Sequence, residues 1–216
     1  MTEGIRRGVK RAIDACCWAA VGPAAAMCVI EAYLSDGGDA MFSFWAQAFA
    51  LVPGLPGTFV RRAFYRWTLE SCARSFFIGF GALFSQRAVI IEEDVYVGPY
   101  AIIGAARLRR RCLIGSRCSI PSGGRQHELD VNLRWTPTDV SRLQRIEIGA
   151  DAWLGEACVV LADVGSSAMV AAGSVVSTAV PPQTMVGGNP ARFVRRLTAP
   201  RSDEEVPSVT AAVSVR

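Results

Sequence analysis

An aliphatic residue returns at every sixth position through the second half of this chain. Ile148, Leu154 and Val160 keep the spacing, and Val170 and Val176 return to it. Glycine follows the first two, and a small residue stands four places on at Ala152, Cys158 and Ser174. An α-helix repeats near 3.6 residues and a half-buried strand at 2, so a period of six fits neither. It is the period of a parallel β-helix. Each hexapeptide supplies one short strand and one corner of a triangular coil. The aliphatic side chain points into the prism and stacks on its equivalents in the coils above and below, with strands about 4.8 Å apart. Val95, Ala101 and Cys118 fill the same narrow inward slot as Ala152, Cys158 and Ser174. A sharp corner favours glycine for its conformational freedom. One coil cannot bury its apolar face, so at least about three must stack.

The repeat begins near Ile78-Gly-Phe-Gly81 and comes into phase at Ile91, Val97 and Ile103. One residue is missing before Leu108, and the phase resumes at Ile114 and Ile120. Residues 121–145 break it with Gly123-Gly124, Trp135, Pro137 and many polar groups. A long structureless insertion in a compact repeat is usually functional. The repeat resumes at Ile146 or Ile148. Two residues are missing between Val160 and Val170, which predicts a squeezed corner at Gly165-Ser-Ser167. Pro181-Pro182 ends the prism, and Arg192-Phe-Val-Arg-Arg196 caps it as a short basic helix or strand. The domain boundaries expected are 1–75, 76–197 and a disordered polar tail over 198–216.

The first domain is apolar. Arg6, Arg7, Lys10 and Arg11 give a basic lead over residues 1–14. Ala15 to Ile30 is then an uncharged apolar run of 16 residues, interrupted by Gly22-Pro23. As a helix it covers about 24 Å, short of the roughly 30 Å of a bilayer core, which counting on to Leu34 would reach. After a turn at Ser35–Asp39, a second apolar block, Met41 to Val52, stops at Pro53-Gly-Leu-Pro-Gly57. The pair reads as a helical hairpin in or on a membrane through residues 12–60, its cations on the cytoplasmic side. The alternative is a helical lid packed on the β-helix or on a partner subunit. Thr58 to Arg74 reads as an amphipathic helix whose aromatics and arginines suit a membrane interface or the first coil.

The net charge of +4 is carried by scattered arginines without interleaved aromatics, which argues against nucleic acid. The seven cysteines show no metal-type spacing and read as small buried hydrophobes in a reduced compartment.

The chain has one histidine, His127, at the start of the insertion. On a loop beside a groove, a neutral imidazole can take a proton from a hydroxyl or amine near pH 7. Pro-Ser-Gly-Gly-Arg-Gln-His127, the insertion, Ile148-Gly-Ala-Asp-Ala-Trp153-Leu-Gly155, Ala171-Ala-Gly-Ser174-Val-Val and Val186-Gly-Gly-Asn-Pro-Ala-Arg192 together resemble the hexapeptide-repeat acyltransferases. The branch is that of galactoside, maltose and xenobiotic acetyltransferases, and the resemblance covers residues 78–197. Residues 41–75 also resemble the leader of the type associated with surface polysaccharide.

The resemblance implies a mainly-β fold, a left-handed parallel β-helix behind an apolar helical region. It implies a homotrimer with active sites between subunits, and acetyl-CoA as co-substrate with no metal. It makes His127 the general base, which deprotonates an acceptor hydroxyl or amine for direct attack on the thioester. It places coenzyme A against Glu156, Ala172, Gly173, Ser177 and Thr178, with Arg192 and Arg195 on its phosphates, and acceptor contacts at Asp94, Tyr96 and Tyr100. Many relatives carry a lysine after the last coil, where Thr178-Ala179 stands here. The expected activity is acetylation of a sugar hydroxyl on a surface polysaccharide or lipid-linked precursor, at the cytoplasmic face of the membrane. The alternatives are a soluble sugar or xenobiotic acceptor in the cytoplasm, and a non-catalytic trimeric scaffold. A γ-type carbonic anhydrase needs three histidines on zinc, which one cannot supply. A nucleotidyltransferase needs a glycine-rich nucleotide-binding domain, which the residues ahead of the repeats do not contain.

Overall fold

The structure, a computed structural model, describes residues 3–35, 38–124, 126–137 and 143–198. The expected tail lies outside them except at Thr198. Among the described residues, helices α1 (Glu3–Leu34), α2 (Ala40–Ala50) and α3 (Gly54–Thr68) precede sixteen strands, β1 (Ser71–Cys72) to β16 (Arg192–Arg196). The strands form three sheets, which are the three sides of a prism. One side stacks β1, β4 (Val89–Ile91), β7 (Ala106–Leu108) and β10 (Ile146–Ile148); the second stacks β2 (Phe76–Ile78), β5 (Val95–Val97), β8 (Leu113–Ile114), β11 (Trp153–Leu154), β13 (Met169–Val170) and β15 (Thr184–Gly187), with β16 added at its edge; the third stacks β3 (Leu83–Phe84), β6 (Ile102–Ile103), β9 (Ser119–Ile120), β12 (Val159–Val160) and β14 (Val175–Val176). All these strand pairings are parallel except that of β16 with β15, which is antiparallel. Isolated bridges from Ile148 to Val164 and from Val164 to Val180 continue the first side. The chain thus climbs about six coils. Adjacent inward positions stack as predicted: Ile91, Leu108 and Ile148 on the first side, Val97, Ile114 and Leu154 on the second, Ile103, Ile120 and Val160 on the third, all buried. The small residues Val95, Ala101, Cys118, Ala152, Cys158 and Ser174 are buried in their slot, joined by Cys112 and Ala168. Burial pushes the Cys112 thiol up to about 12, which keeps it protonated and inert.

The repeat begins earlier and ends later than its sequence phase. The first coil opens at Ser71, ahead of Ile78. Beyond Pro181-Pro182 a further strand, β15 (Thr184–Gly187), pairs on β13 (Met169–Val170), so the prolines do not end the prism. The short corner is also displaced. The count breaks before Val164 and not at Gly165-Ser-Ser167: Val164 stands four positions after Val160 and six before Val170. The squeeze lies at residues 161–163, between the third side and the first. The same edge is short again from Val176 to Val180.

The glycines serve the corners in a way that the turn argument does not capture. The residue in the left-handed region is usually not glycine: Asp94, Tyr100, Arg111, Arg117, Asp151, Ala157, Ser167 and Gln183 have φ between 53° and 59°. Glycine stands two positions earlier at several corners, where the next coil approaches. A Cβ at Gly155 would lie 2.5 Å from the Ala172 nitrogen, and one at Gly165 2.4 Å from the Pro182 nitrogen. Stacked backbones exclude a side chain there.

The N-terminal region is one long helix and two short ones. Gly22-Pro23 does not interrupt α1, and the polar lead is part of it. Val21, Ala24, Ala25 and Cys28 are buried against the rest of the cap, which holds the helix through its proline. Trp18 stacks on Trp67 with ring centroids 4.2 Å apart, and Asp14 pairs with Arg62. Two of the three arginines of α3 are buried rather than turned outward as a membrane helix would have them, and Arg66 is half-exposed. Arg61 is 1% exposed and Arg62 6%. The Arg61 guanidinium donates to the carbonyls of Phe49, Ala50 and Val52 at the end of α2 (3.2, 3.4 and 2.7 Å) and, through Nε, to Ile78 in the first coil (3.2 Å). It adds donors to carbonyls at the end of α2, two of which also accept a backbone N–H, Phe49 from Val52 at 3.3 Å and Ala50 from Gly81 at 2.9 Å. Phe42, Phe64, Tyr65 and Phe84 are buried between the helices and the first coil. The lid reading therefore holds for α2 and α3.

Candidate active site

The insertion leaves the prism after β9 (Ser119–Ile120) on the third side and returns at β10 (Ile146–Ile148) on the first. It occupies the edge between those sides. The coils beyond it make that edge from the short corners 161–163 and 177–179. A corner two residues shorter has less chain to fill the edge, and a run of clefts follows it.

Residues 127–136 of the insertion are held by local bonds rather than by a core. Leu129 and Trp135 form an antiparallel bridge. Asp130 accepts the backbone N–H groups of Asn132 and Arg134 at 2.8 and 2.9 Å, which closes a tight turn. Thr136 donates its N–H to the Glu128 carbonyl at 2.8 Å and accepts the Glu128 N–H on its hydroxyl at 3.1 Å. This small ladder fixes His127. Nδ1 of the imidazole lies 2.9 Å from the Thr136 carbonyl oxygen. A carbonyl only accepts, so in the neutral ring Nδ1 carries the hydrogen and Nε2 carries the lone pair.

His127, Trp135, Gln126, Pro121, Gly123, Gly124 and Leu161 line a cleft of about 510 Å³. Gly124 and Leu161 are shared with a second cleft of about 800 Å³, which runs along Gln144, Arg145, Asp163 and the corner Ser177, Thr178 and Ala179. Thr178 and Ala179 are shared in turn with a third, of about 280 Å³, which ends at Arg192, Phe193 and Arg196. One continuous tract thus leads from the imidazole, past exposed backbone, to two guanidinium groups. Arg192 donates to the Ala191 carbonyl at 3.2 Å and Arg196 to that of Pro182 at 3.3 Å, and both side chains are exposed.

The structure brings His127, Ser177, Thr178 and Arg192 onto this edge. Glu156, Ala172 and Gly173 stand on a different edge, between the second and third sides. There Glu156 pairs with Arg117 at 2.6 Å, which neutralises a carboxylate that would otherwise repel phosphate. Arg195 lies opposite Met185 in the β15–β16 pair and does not line the tract, whereas Arg196 does. Asp94 is at a corner between the first and second sides, bonded to the Ser75 hydroxyl at 2.7 Å. Tyr96 stacks on Phe77 on the outer face of the second side, and Tyr100 packs edge-on against Phe80. None of these three approaches the His127 of the same chain. Gln126, Gln144, Leu161 and Arg196 line the tract without having been singled out from sequence. Their signal is position along one edge, which requires knowing which corner is which. Among the described residues no group of three or more His, Cys, Asp or Glu is gathered to hold a metal ion.

The six-residue repeat, the three-sided coil and the histidine at the mouth of a long edge loop define a hexapeptide-repeat β-helix protein. Its sequence is similar to proteins named acetyltransferases. It is 28% identical over 123 residues to WbbJ of Escherichia coli K12, provisionally named a lipopolysaccharide biosynthesis O-acetyl transferase, across 52% of this chain and 63% of that one. It is 40% identical over 65 residues to SAR2635 of Staphylococcus aureus MRSA252, provisionally named an acetyltransferase, across 29% of this chain and 30% of that one. The chain therefore spans just under two thirds of the first relative's length and less than a third of the second's. A crystal structure of the hexapeptide-repeat acetyltransferase VCA0836 from Vibrio cholerae overlaps 72% of this chain and 90% of its own at 24% identity, with a TM-score of 0.47. No protein-family model matches the chain.

Proposed function

We propose that the protein transfers an acetyl group from acetyl-CoA to a sugar hydroxyl of a surface polysaccharide or its lipid-linked precursor. The observation that carries this reading is the bond from Nδ1 of His127 to the Thr136 carbonyl, because it leaves Nε2 as a base on a ring that lines the cleft. Nε2 takes the hydroxyl proton as the acceptor oxygen attacks the thioester carbonyl. A C–O bond forms, the C–S bond breaks, and the imidazolium returns its proton to the departing thiolate. The pantetheine arm lies along Ser177, Thr178 and Ala179, where small residues expose backbone, and the phosphates meet Arg192 and Arg196, whose forks suit them. The relatives named acetyltransferases support the reaction class, and the lipopolysaccharide relative supports a glycan acceptor. The test is radiolabelled acetyl-CoA added to host membranes and extract. Label that enters lipid or polymer supports the full reading. Label only in small soluble molecules would replace the acceptor, and no label with any fraction would reject the reaction.

Replacing Arg192 with alanine is expected to raise the KM for acetyl-CoA several-fold while kcat holds, since a phosphate contact remote from the reacting carbonyl binds ground and transition states alike. Steady-state thiol release reads both constants, and a fall in kcat alone would remove Arg192 from the donor site.

Glu156, Ala172 and Gly173 reach a donor site only if a second copy presents that edge, which fits a homotrimer. The second side carries an outward ladder in register: Phe77, Tyr96, Leu113, Trp153, Met169 and Met185. Tyr96, Leu113 and Trp153 are 40–48% exposed in the single chain. A continuous apolar stripe of that kind marks an association surface, and sedimentation as three copies would support it.

The membrane reading now rests on α1. Ala12–Leu34 is long and apolar enough to cross a bilayer by length and composition. It is laid along α3 by the Trp18–Trp67 stack and the Asp14–Arg62 pair. Its other face exposes Met27, Ile30, Tyr33 and Leu34. A helix so tied lies on the cytoplasmic leaflet rather than through it. Vesicles of phosphatidylethanolamine and phosphatidylglycerol are expected to carry the full chain upward in a density gradient and to release it after residues 1–34 are removed. A full chain that stays at the bottom would return the protein to the cytoplasm.

A further inference from the structure

The hairpin that carries His127 has two rungs in which a side chain stands in for a backbone carbonyl. Leu129 and Trp135 are a bridge pair that exchanges no backbone bond of its own. The pairs on either side, Glu128 with Thr136 and Asp130 with Arg134, would each exchange two N–H···O bonds in a regular antiparallel ladder. One bond of each is regular: Thr136 N–H donates to the Glu128 carbonyl at 2.8 Å, and Asp130 N–H to the Arg134 carbonyl at 2.9 Å. The return bond goes to a side chain both times. Glu128 N–H donates to the Thr136 hydroxyl at 3.1 Å, and Arg134 N–H to the Asp130 carboxylate at 2.9 Å. The two carbonyls relieved of the ladder take other donors. That of Asp130 accepts the Leu133 N–H at 3.0 Å and closes the turn. That of Thr136 takes Nδ1 of the imidazole at 2.9 Å.

We propose that Thr136 is a positioning residue for His127: its hydroxyl takes the Glu128 N–H, which reserves its own carbonyl for Nδ1–H and so selects the tautomer with the lone pair on Nε2. The proposal rests on the acetyltransferase reading for its effect on rate, and deepens it. His127 is exposed, with no core packed around its ring, so the bond made by Nδ1 decides where the hydrogen sits. A free neutral imidazole in water favours the hydrogen on Nε2, and the hairpin reverses that choice. Without the hydroxyl, the Glu128 N–H has the Thr136 carbonyl as its ladder partner. A carbonyl has two lone pairs, but the two donors would then come from adjacent residues and crowd one oxygen. Asp130 keeps the far end of the ladder closed, so the Glu128–Thr136 pair stays in register beneath the ring.

The experiment uses the full chain, labelled with ¹⁵N and free of any histidine tag. Its one histidine gives ring signals that need no assignment. At a pH where the ring is neutral, the two nitrogen shifts read the tautomer, and steady-state thiol release from acetyl-CoA reads the rate. Wild type is expected to carry the hydrogen on Nδ1. Thr136→Val keeps the shape without the hydroxyl. It is expected to move toward the Nε2–H form and to lower kcat by about 3- to 10-fold, the worth of one hydrogen bond. The KM for acetyl-CoA should hold, since Thr136 does not line the tract proposed for the donor. Thr136→Ser, which keeps the hydroxyl, is expected to restore both the tautomer and the rate. A cross-strand Leu129–Trp135 contact in the same spectra reports whether the hairpin persists. A wild type with its hydrogen on Nε2, or a valine variant that keeps the wild-type tautomer, would overturn the proposal. So would a tautomer that changes only when the Leu129–Trp135 contact is lost, because the hydroxyl would then brace the hairpin and not the ring. A wild type with the expected tautomer but no transfer from acetyl-CoA to any acceptor would reject the acetyltransferase reading instead, and the spectra of the two variants would still decide the role of Thr136.

Discussion

Alanine in place of His127 is expected to lower kcat for acetyl transfer by about 10²–10⁴-fold, the range of a general base. The KM for acetyl-CoA should change little, because the tract proposed for the donor runs from Leu161 through Thr178 to Arg192 and the imidazole touches only its mouth. The side chain is exposed, so its loss removes no core packing and the variant should fold as the wild type does. Single-turnover thiol release separates the chemical step from binding. A fall of less than about tenfold would place the base elsewhere, since general bases contribute more than that. His127→Gln supplies a sharper contrast. It can keep a donor near the Thr136 carbonyl but offers no basic lone pair, so it should be as slow as alanine if proton transfer is the role.

The largest loss of stability is expected at Arg61. Arg61→Ala removes one buried cation and the donors for four carbonyls, those of Phe49, Ala50, Val52 and Ile78. Bonds to a charged donor are stronger than neutral ones, although the Phe49 and Ala50 carbonyls keep a backbone N–H each. The expected cost is about 2–4 kcal/mol, the scale of losing a buried side chain and its charge-assisted hydrogen bonds. It would be read as a lower midpoint in chemical denaturation. Arg61→Lys should recover only part, since one ammonium cannot span the end of α2 and the first coil as a planar fork does. Arg61→Met, which keeps bulk but no donor, should resemble alanine. A variant within about 0.5 kcal/mol of wild type would mean that the carbonyls find water, as surface positions do.

The coil was legible because its period is written in inward residues that no other fold repeats. Ile148, Leu154 and Val160 announce three sides of one turn, and the structure stacks them as expected. The signal weakened where a side has only one inward residue. Val164 and Val180 are isolated bridges rather than strands, and both fall at short corners, so the count slipped there and the squeeze was assigned to the wrong edge. Glycine composition marked the corners correctly but for another reason, since close approach of the next backbone excludes a Cβ and residues such as Tyr100 and Arg117 make the turn. In the cap, Pro23 and the charged lead hid a single helix, because its continuity depends on packing of Val21, Ala24 and Cys28 that no local propensity encodes. For the site, the solitary histidine was visible. The division of the other candidates between two edges was not, because a repeat makes every corner look alike until the coil is closed.

The excursion between Ile120 and Ile146 has a consequence for how such a molecule diversifies. The ladder does not run through it. Ser119 already pairs with Val159, and Ile146 with Ala106, so the coils on either side are bonded to each other whatever lies between. Closing a longer loop there adds only about 0.6 kcal/mol for each doubling of length. The scaffold is therefore indifferent to the text of its own insert. A recombination event or a designer that keeps His127 and the Glu128–Thr136 ladder can exchange the rest of the segment facing the His127 cleft and leave the inheritance of the fold intact.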